Sequence, residues 1–322
     1  MTGITVVEPH DDAMITRWHE AYERAFDRPF DQPWTLAEKR EHVRDDAYEH
    51  LTLVLLGDDA GRTVAGGWTK LPQKDNTGLA YVEVFVDPGH RRQGWGRRVE
   101  SAVVDLARAA GRARVVGEAA WEVATPTGDA GRFAEACGYH LDLMYAQREL
   151  LLPAAVPALR LSPAYTLDSW RGSCPDAWVD QYADLRRRMN SEAPAGEVEL
   201  EDEFWDAERV RADERSVAAQ NRQMQITVAR DGGGRLVGHT QLAFPGGSDE
   251  VYQWDTLVLP DHRGHGLGLA LKVRTMQTSA DLLAGRRRIH TYNAASNAPM
   301  IAVNEQLGYE QVAWVGEYAR DV

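Results

Sequence analysis

The sequence predicts an α/β protein built from two copies of one mixed-sheet fold. Three observations lead there. A glycine-rich segment occurs twice, as Val86-Asp87-Pro88-Gly89-His90-Arg91-Arg92-Gln93-Gly94-Trp95-Gly96 and as Val258-Leu259-Pro260-Asp261-His262-Arg263-Gly264-His265-Gly266-Leu267-Gly268. Each copy follows a short alternating apolar run and precedes apolar residues at helical spacing. Each is trailed by a segment ending in Gly-Tyr, Phe133 to Tyr139 and Val303 to Tyr309.

The elements follow in order. Ile4 to Val7 reads as an edge strand, and Ala13 to Phe26 as a helix with Trp18, Tyr22 and Phe26 on one side. Leu51 to Leu56 and Thr63 to Trp68 are strands joined by the turn-rich Gly57-Asp58-Asp59-Ala60-Gly61. The strand Leu79 to Val86 is stopped at Asp87-Pro88, because proline cannot donate to a ladder. Arg97 to Ala110 is an amphipathic helix with Val99, Val103 and Leu106 inside. Arg114 to Ala119 is a strand, Gly128 to Ala136 a short helix, and Leu141 to Leu152 one or two closing strands. Pro153 and Pro157 then interrupt the pattern, as in a linker. The order repeats with a strand from Tyr165, helices over Ala177 to Met189 and Phe204 to Ala219, and strands over Gln225 to Arg230 and Leu236 to Ala243. Glu250 to Leu259 is the strand before the second loop. The helix Gly268 to Leu283, the strand Arg288 to Tyr292 and the helix Met300 to Gln306 follow. The expected domains are residues 1–152 and 164–322, with 153–163 as the linker.

Composition narrows the function. A chain of 322 residues accommodates two ordinary domains. A net charge of −13 argues against general nucleic-acid binding, which needs basic surface. The acidic balance fits a cationic partner such as an amine, and solubility alone explains it as well. Two cysteines, Cys137 and Cys174, form neither a disulfide framework nor a metal spacing. The start of the chain lacks the features of a signal peptide. The longest apolar stretch, Leu150 to Leu159, is too short to span a bilayer. The expectation is a cytoplasmic protein with no metal, no membrane and no nucleic acid.

Each loop reads Arg-x-x-Gly-x-Gly: Arg91, Gly94, Gly96 and Arg263, Gly266, Gly268. Glycines let the main chain approach a ligand closely. Successive N–H groups in such a turn form an anion nest, and the following helix adds its positive end. The arginine adds charge, so the assembly suits a pyrophosphate. The Walker type requires Gly-Lys-Ser/Thr, which is absent, and neither loop matches a dinucleotide-binding Gly-x-Gly-x-x-Gly register.

Val-x-Pro-x-x-Arg-x-x-Gly-x-Gly after a strand, with Asn-x-x-x-x-x-x-Asn-x-x-Leu-Gly-Tyr downstream, resembles the GNAT family of acyl-CoA-dependent N-acyltransferases. The tandem arrangement resembles its two-domain members. That resemblance implies two mixed, mostly antiparallel twisted sheets flanked by helices on both faces. It implies acetyl-CoA or another acyl-CoA as co-substrate and an amine of a small molecule as acceptor. The oligomeric expectation is a monomer, itself an internal pseudo-dimer, or a homodimer. The strand before each loop would splay from its neighbour and receive the pantetheine arm. Main chain near Leu257, Val258 and Leu259 would then bind that arm. Arg263, Gly264, His265, Gly266, Leu267 and Gly268 would bind the pyrophosphate. In the first copy, Phe85, Val86, Arg91, Arg92, Gln93, Gly94, Trp95 and Gly96 would take these roles.

Asn293 and Asn297 stand where the family's downstream asparagines contact the cofactor arm; they can equally cap the helix beginning near Pro299, and Asn297 can do both. The first copy has Thr125-Pro126-Thr127-Gly128-Asp129 there. The second half is therefore expected to be catalytic and the first to be degenerate or structural. Many family members carry a tyrosine proton donor four residues before the final glycine; here those positions are Ala134 and Asn304. Asp255 and Glu83, each three residues before the valine that opens its loop motif, are the candidate proton acceptors for the amine, or else solvent-facing strand residues. The acidic run Asn190 to Glu203 would border the acceptor pocket or form a solvated loop. The alternative function is a non-catalytic CoA-binding regulator or scaffold.

Overall fold

The computed structural model describes residues 3–44, 46–194, 196–198 and 200–322. Met1, Thr2 and Asp45 lie outside the described residues, as do Ala195 and Glu199 of the acidic run. Twelve strands are present among those described. The first six are β1 (Ile4–Val7), β2 (Glu49–Gly57), β3 (Thr63–Pro72), β4 (Leu79–Val86), β5 (Arg114–Glu122) and β6 (His140–Leu151). The second six are β7 (Tyr165–Arg171), β8 (Arg222–Asp231), β9 (Leu236–Pro245), β10 (Glu250–Val258), β11 (Arg288–Ala294) and β12 (Glu310–Asp321).

These elements form two compact units. One comprises Met1–Met144, Gly196–Glu199 and Ala313–Val322; the other comprises Tyr145–Ala195 and Leu200–Val312. The expected boundaries at 152 and 164 follow chain order, and the units depart from them. Each sheet takes its last strand from the other half of the chain. In the first unit the order is β1-β2-β3-β4-β5-β12, with Ala313 to Asp321 of β12 antiparallel to β5. In the second the order is β7-β8-β9-β10-β11-β6, with Tyr145 to Leu151 of β6 antiparallel to β11. The physical reason is the open edge that β5 and β11 would otherwise present, with unpaired N–H and C=O groups along it. The apolar pattern of Leu141 to Leu152 marks a strand but not its partner, so the exchange is invisible to periodicity.

Within each sheet every pair is antiparallel except one. β4 runs parallel to β5, and β10 runs parallel to β11. Helices lie on both faces. In the first unit, the Trp18 indole of helix Asp12–Ala25 donates to the Gly67 carbonyl of β3 at 3.0 Å. Helix Trp95–Ala109 receives the Thr69 hydroxyl on its Val103 carbonyl at 2.9 Å. Its Val99, Val103, Val104 and Ala107 are fully buried, each valine contributing about 1.5–3 kcal/mol. In the second unit, Tyr182 of helix Val179–Arg187 covers β9, accepting from Gln241 at 2.8 Å. Thr275 of helix Leu267–Thr278 reaches Thr227 of β8 at 2.6 Å.

Helix boundaries agree with the sequence patterns to within a few residues, with three differences, the first a separate short helix over Met189–Glu192. Gly268 to Leu283 is broken at Ser279 into Leu267–Thr278 and Ala280–Leu283. A helix over Leu36–His42, absent from the periodicity analysis, is nucleated by a capping box in which Thr35 and Glu38 bond each other's backbone N–H.

The strand exchange makes a testable prediction. Deleting the chain after Val312 removes the partner of β5 and leaves the pairings among β7, β8, β9, β10 and β11 in place. Hydrogen exchange should then show protection lost for amides of β4 and β5 and retained for β8 and β9. Equal loss in both units would contradict the exchanged pairing.

Candidate active site

The two parallel pairs share an unusual feature. β4 and β5 are in register only from Leu79 and Arg114 to Val82 and Gly117. β10 and β11 are in register only from Glu250 and Arg288 to Tyr252 and His290. Past those points each pair separates, although both strands continue. In the second unit, Thr291 to Ala294 keep their β6 partners, so β11 stays in the sheet while its other edge opens. Main-chain groups of Trp254 to Val258 on that side have no ladder partner among the described residues. Leu257 and Leu259 are nonetheless buried, and Val258 turns its carbonyl to the loop. In the first unit the corresponding free edge runs from Glu83 through Phe85 to Val86.

Each gap ends at a glycine loop. Gly94 (φ 88°) and Gly266 (φ 72°) are left-handed N-caps of helices Trp95–Ala109 and Leu267–Thr278. Two residues earlier, Arg92 (φ 64°) and Gly264 (φ 78°) also have positive φ. This conformation turns consecutive N–H groups outward. Those of Gly264, His265, Gly266, Leu267, Gly268 and Leu269 bond no acceptor among the described residues, and neither do those of residues 92–97. Each loop is thus an anion nest continued by a helix N-terminus.

The motif arginines hold the loops in place. Arg263 Nε donates to the Val258 carbonyl at 3.0 Å, and Nη2 pairs with Glu192 at 2.7 Å. Arg91 Nε donates to the Val86 carbonyl at 3.2 Å, and Nη1 pairs with Asp27. Their guanidinium groups pair with protein carboxylates in both units. Gln93 closes its own loop onto the Gly89 carbonyl at 3.4 Å, Trp95 lies under Arg98, and Gly96 packs on Phe133 and Val86. Among the described residues of the acidic run, Glu192 reaches the second loop. Glu197 and Val198 of that run donate their N–H groups to Asp142 in the first unit. His262 Nδ1 meets the Tyr165 hydroxyl at 3.1 Å, and His265 packs against the Tyr165 ring.

The two candidate carboxylates differ in setting. Between Gln253 and Thr256, β10 carries one residue more than β9, a bulge that holds Trp254 and Asp255. Gln253 and Thr256 both bond Thr240 on one face. The bulge carries Asp255 to the opposite face, where Arg186 lies 3.5 Å away. Arg186 also pairs with Asp213 at 3.2 Å and stacks 4.0 Å from the Trp205 ring centre. The Asp255 side chain is 35 % exposed. Burial raises its pKa above the ordinary carboxylate value, and Arg186 opposes the rise. Glu83 lies in unbulged register opposite Trp68, takes its indole N–H, and sits 3.6 Å from Arg28.

Next to Arg186 and Asp213 opens a cavity of about 400 Å³ between helices Val179–Arg187 and Ala207–Ala219 and the sheet, lined by Tyr182, Val210, Met224 and Gln241. His239 behind Tyr182 is fully buried and neutral, its pKa pushed down to about 3 by burial and Arg186.

Asn304, at the tyrosine position of the family, is fully buried. Its Oδ1 accepts from Lys272 Nζ at 2.7 Å, and its Nδ2 donates to Asn293 Oδ1 at 2.5 Å. Burial pushes Lys272 down to about 7. Asn297 Oδ1 accepts from Met300 N at 3.3 Å and caps helix Ala298–Gln306. Sequence reasoning did not single out Arg186 or Lys272. A lysine within the apolar run Leu269-Ala270-Leu271-Lys272-Val273 was the available signal for the second.

The acetyltransferase (GNAT) family profile matches residues 15–139 and 181–309, one match in each half. The chain belongs to the GNAT family. It is an N-acetyltransferase of the tandem-domain type. It is 31 % identical over 296 residues to a mycothiol acetyltransferase of Clavibacter sepedonicus, covering 85 % of this chain and 86 % of that one. A mycothiol acetyltransferase of Salinispora arenicola is 28 % identical over 286 residues, 82 % of this chain and 84 % of the relative. Among solved structures, a tandem GNAT protein from the clavulanic acid biosynthesis pathway superposes with a TM-score of 0.82 at 25 % identity, over 99 % of this chain and 98 % of that one. Together with two glycine loops and two interrupted parallel pairs, these matches identify a tandem GNAT fold.

The nest makes a second prediction. A Cβ at Gly266 meets nothing within 4 Å, so a substitution there acts through backbone strain and not through collision. Forcing a β-branched residue into this conformation costs about 1–2 kcal/mol or redirects the N–H groups. Gly266→Val should weaken acetyl-CoA binding at least tenfold by calorimetry. Unchanged affinity would remove residues 264–269 from the binding site.

Proposed function

We propose that the second unit transfers an acetyl group from acetyl-CoA to an amine of a small molecule by direct attack in a ternary complex. The observation that carries this reading is the bulge at Trp254-Asp255, which sets a carboxylate beside Arg186 on the strand with the open edge. Residues 264–269 offer N–H groups suited to the pyrophosphate, and the unpaired edge of β10 offers main-chain partners to the pantetheine arm. The named relatives support a small-molecule acceptor of the kind that mycothiol acetyltransferases act on.

The chemistry needs a proton acceptor more than a proton donor. An alkylammonium of pKa ~10.4 must lose a proton before it attacks, at about 4.6 kcal/mol near pH 7. Asp255, its pKa raised by burial, is a better base than an exposed aspartate. Asp255 takes the first proton from the ammonium, the neutral amine forms the N–C bond, the C–S bond breaks to release the thiolate, and the second nitrogen proton passes to water. A thiolate whose conjugate acid has pKa ~8.5 leaves without an acid, which accommodates Asn304 in place of tyrosine. Asn304 instead fixes Asn293 on β11 through the Lys272 link.

Asp255→Asn should lower turnover about 10²–10⁴-fold while leaving acetyl-CoA affinity nearly unchanged. The deficit should shrink at high pH, where the amine is already neutral. In the wild type the rate should fall as pH drops through the raised pKa of Asp255, because the protonated carboxyl accepts nothing. Steady-state kinetics over a pH series checks this, and near-normal turnover of a folded variant would assign the proton to water.

The two halves should also be separable. Gly266→Val should abolish turnover, and Gly94→Val should leave most of it. The reverse pattern, measured by thiol release with a panel of amines, would move catalysis to the first unit.

A further inference from the structure

The first unit contains an ammonium group in an unusual place. Lys39, on the short helix Leu36–His42, is only 2 % exposed. Its Nζ lies 5.1 Å from the ring centre of Trp34, 5.3 Å from Trp68, 5.6 Å from Trp18 and 5.8 Å from Tyr22. Four ring faces around one cation form an aromatic cage, the arrangement that selects alkylammonium ions over other ligands. The cage is joined to the candidate site of this unit. Trp68 pairs with Glu83 across β3 and β4, and its indole N–H donates to the Glu83 carboxylate. Trp18 and Tyr22 both pack edge-on against Phe85, on the free edge of β4. Burial pushes Lys39 down to about 8, against the attraction of Glu83.

We propose that this cage is a recognition site for an alkylammonium ion, and that the chain's own Lys39 occupies it in the manner of a bound amine. The proposal rests on reading the Glu83 face of β4 as the acceptor face of a GNAT unit, and it requires no turnover. It gives the first unit a physical reason for silence toward external amines: the place beside its carboxylate is filled. The second unit has no equivalent among the described residues, since Asp255 there faces Arg186 stacked on Trp205. A short helix held by one capping box is the element whose displacement would free the cage.

The test uses the full chain and tetramethylammonium, which binds aromatic cages and cannot be acetylated. Lys39→Ala vacates the cage, and Lys39→Met keeps it filled without charge. Saturable quenching of tryptophan fluorescence by tetramethylammonium should appear in Lys39→Ala, with affinity at least about tenfold above that of the wild type, from cation–π energies of about 1–2 kcal/mol. Lys39→Met should behave as the wild type, and adding Trp34→Ala to Lys39→Ala should remove the response. If Lys39→Ala is too unstable for titration, the same ligand should raise its thermal midpoint and leave the wild type and Lys39→Met unmoved. Equal responses from Lys39→Ala and wild type, in titration or in melting, would overturn the proposal, as would binding by Lys39→Met as tight as by Lys39→Ala. Because neither readout involves acetyl transfer, such a failure leaves the assignment of Asp255 untouched.

Discussion

A parallel pair of strands that parts after three or four residues is costly on its own. The N–H and C=O groups along the opening lose their ladder partners and must find others. This chain maintains that arrangement twice, between β4 and β5 and between β10 and β11. The surrounding structure holds the gap open. Close approach of neighbouring backbone requires glycine at Gly67 and Gly238, where a Cβ would lie 2.3 Å from the Glu83 carbonyl and 2.7 Å from the Leu257 carbonyl. Arg91 and Arg263 tie the loop back to the end of the diverging strand. The exchanged strands β12 and β6 pair the outer edges of β5 and β11, so those strands stay fixed while their inner edges open.

From this common frame the two units diverge by small changes with chemical consequences. One extra residue in β10 turns Asp255 toward Arg186; β4 lacks it, and Glu83 stays against Trp68. Where the second unit has Lys272 beneath Asn304, the first has Glu100, which bonds Tyr139 and Arg320. Where the second unit has a cavity beside Arg186, the first has a cage around Lys39. The repeated fold supplies two similar scaffolds, and they differ in the side chains set beside the open strand edges.

Much of this was legible in the chain because the signals were local. The alternating run Leu79 to Val86, halted by Pro88, marks β4 to the residue, and the glycine pairs mark both loops. What escaped was non-local or a matter of one residue. Strand exchange depends on which edge an apolar strand finds, and Leu141 to Leu152 carries no information on that. The bulge at Asp255 adds a residue without altering composition. The carboxylate partners of the loop arginines, Asp27 and Glu192, lie far away in sequence and left no local mark. Lys39 was hidden because an isolated lysine on a short polar helix reads as solvated surface. The Thr35-Leu36-Ala37-Glu38 capping signature was present and would have located that helix.

The central claim is that the unpaired backbone at the open edge and in the nest is the acetyl-CoA site of the second unit. Amide hydrogen exchange with and without saturating acetyl-CoA tests it most directly. The N–H groups of residues 264–269 and of Trp254 to Val258 on the open edge, which have no acceptor among the described residues, should exchange fast in the free protein and slow markedly on binding. Binding that leaves these amides unchanged, while protecting another surface, would contradict the account.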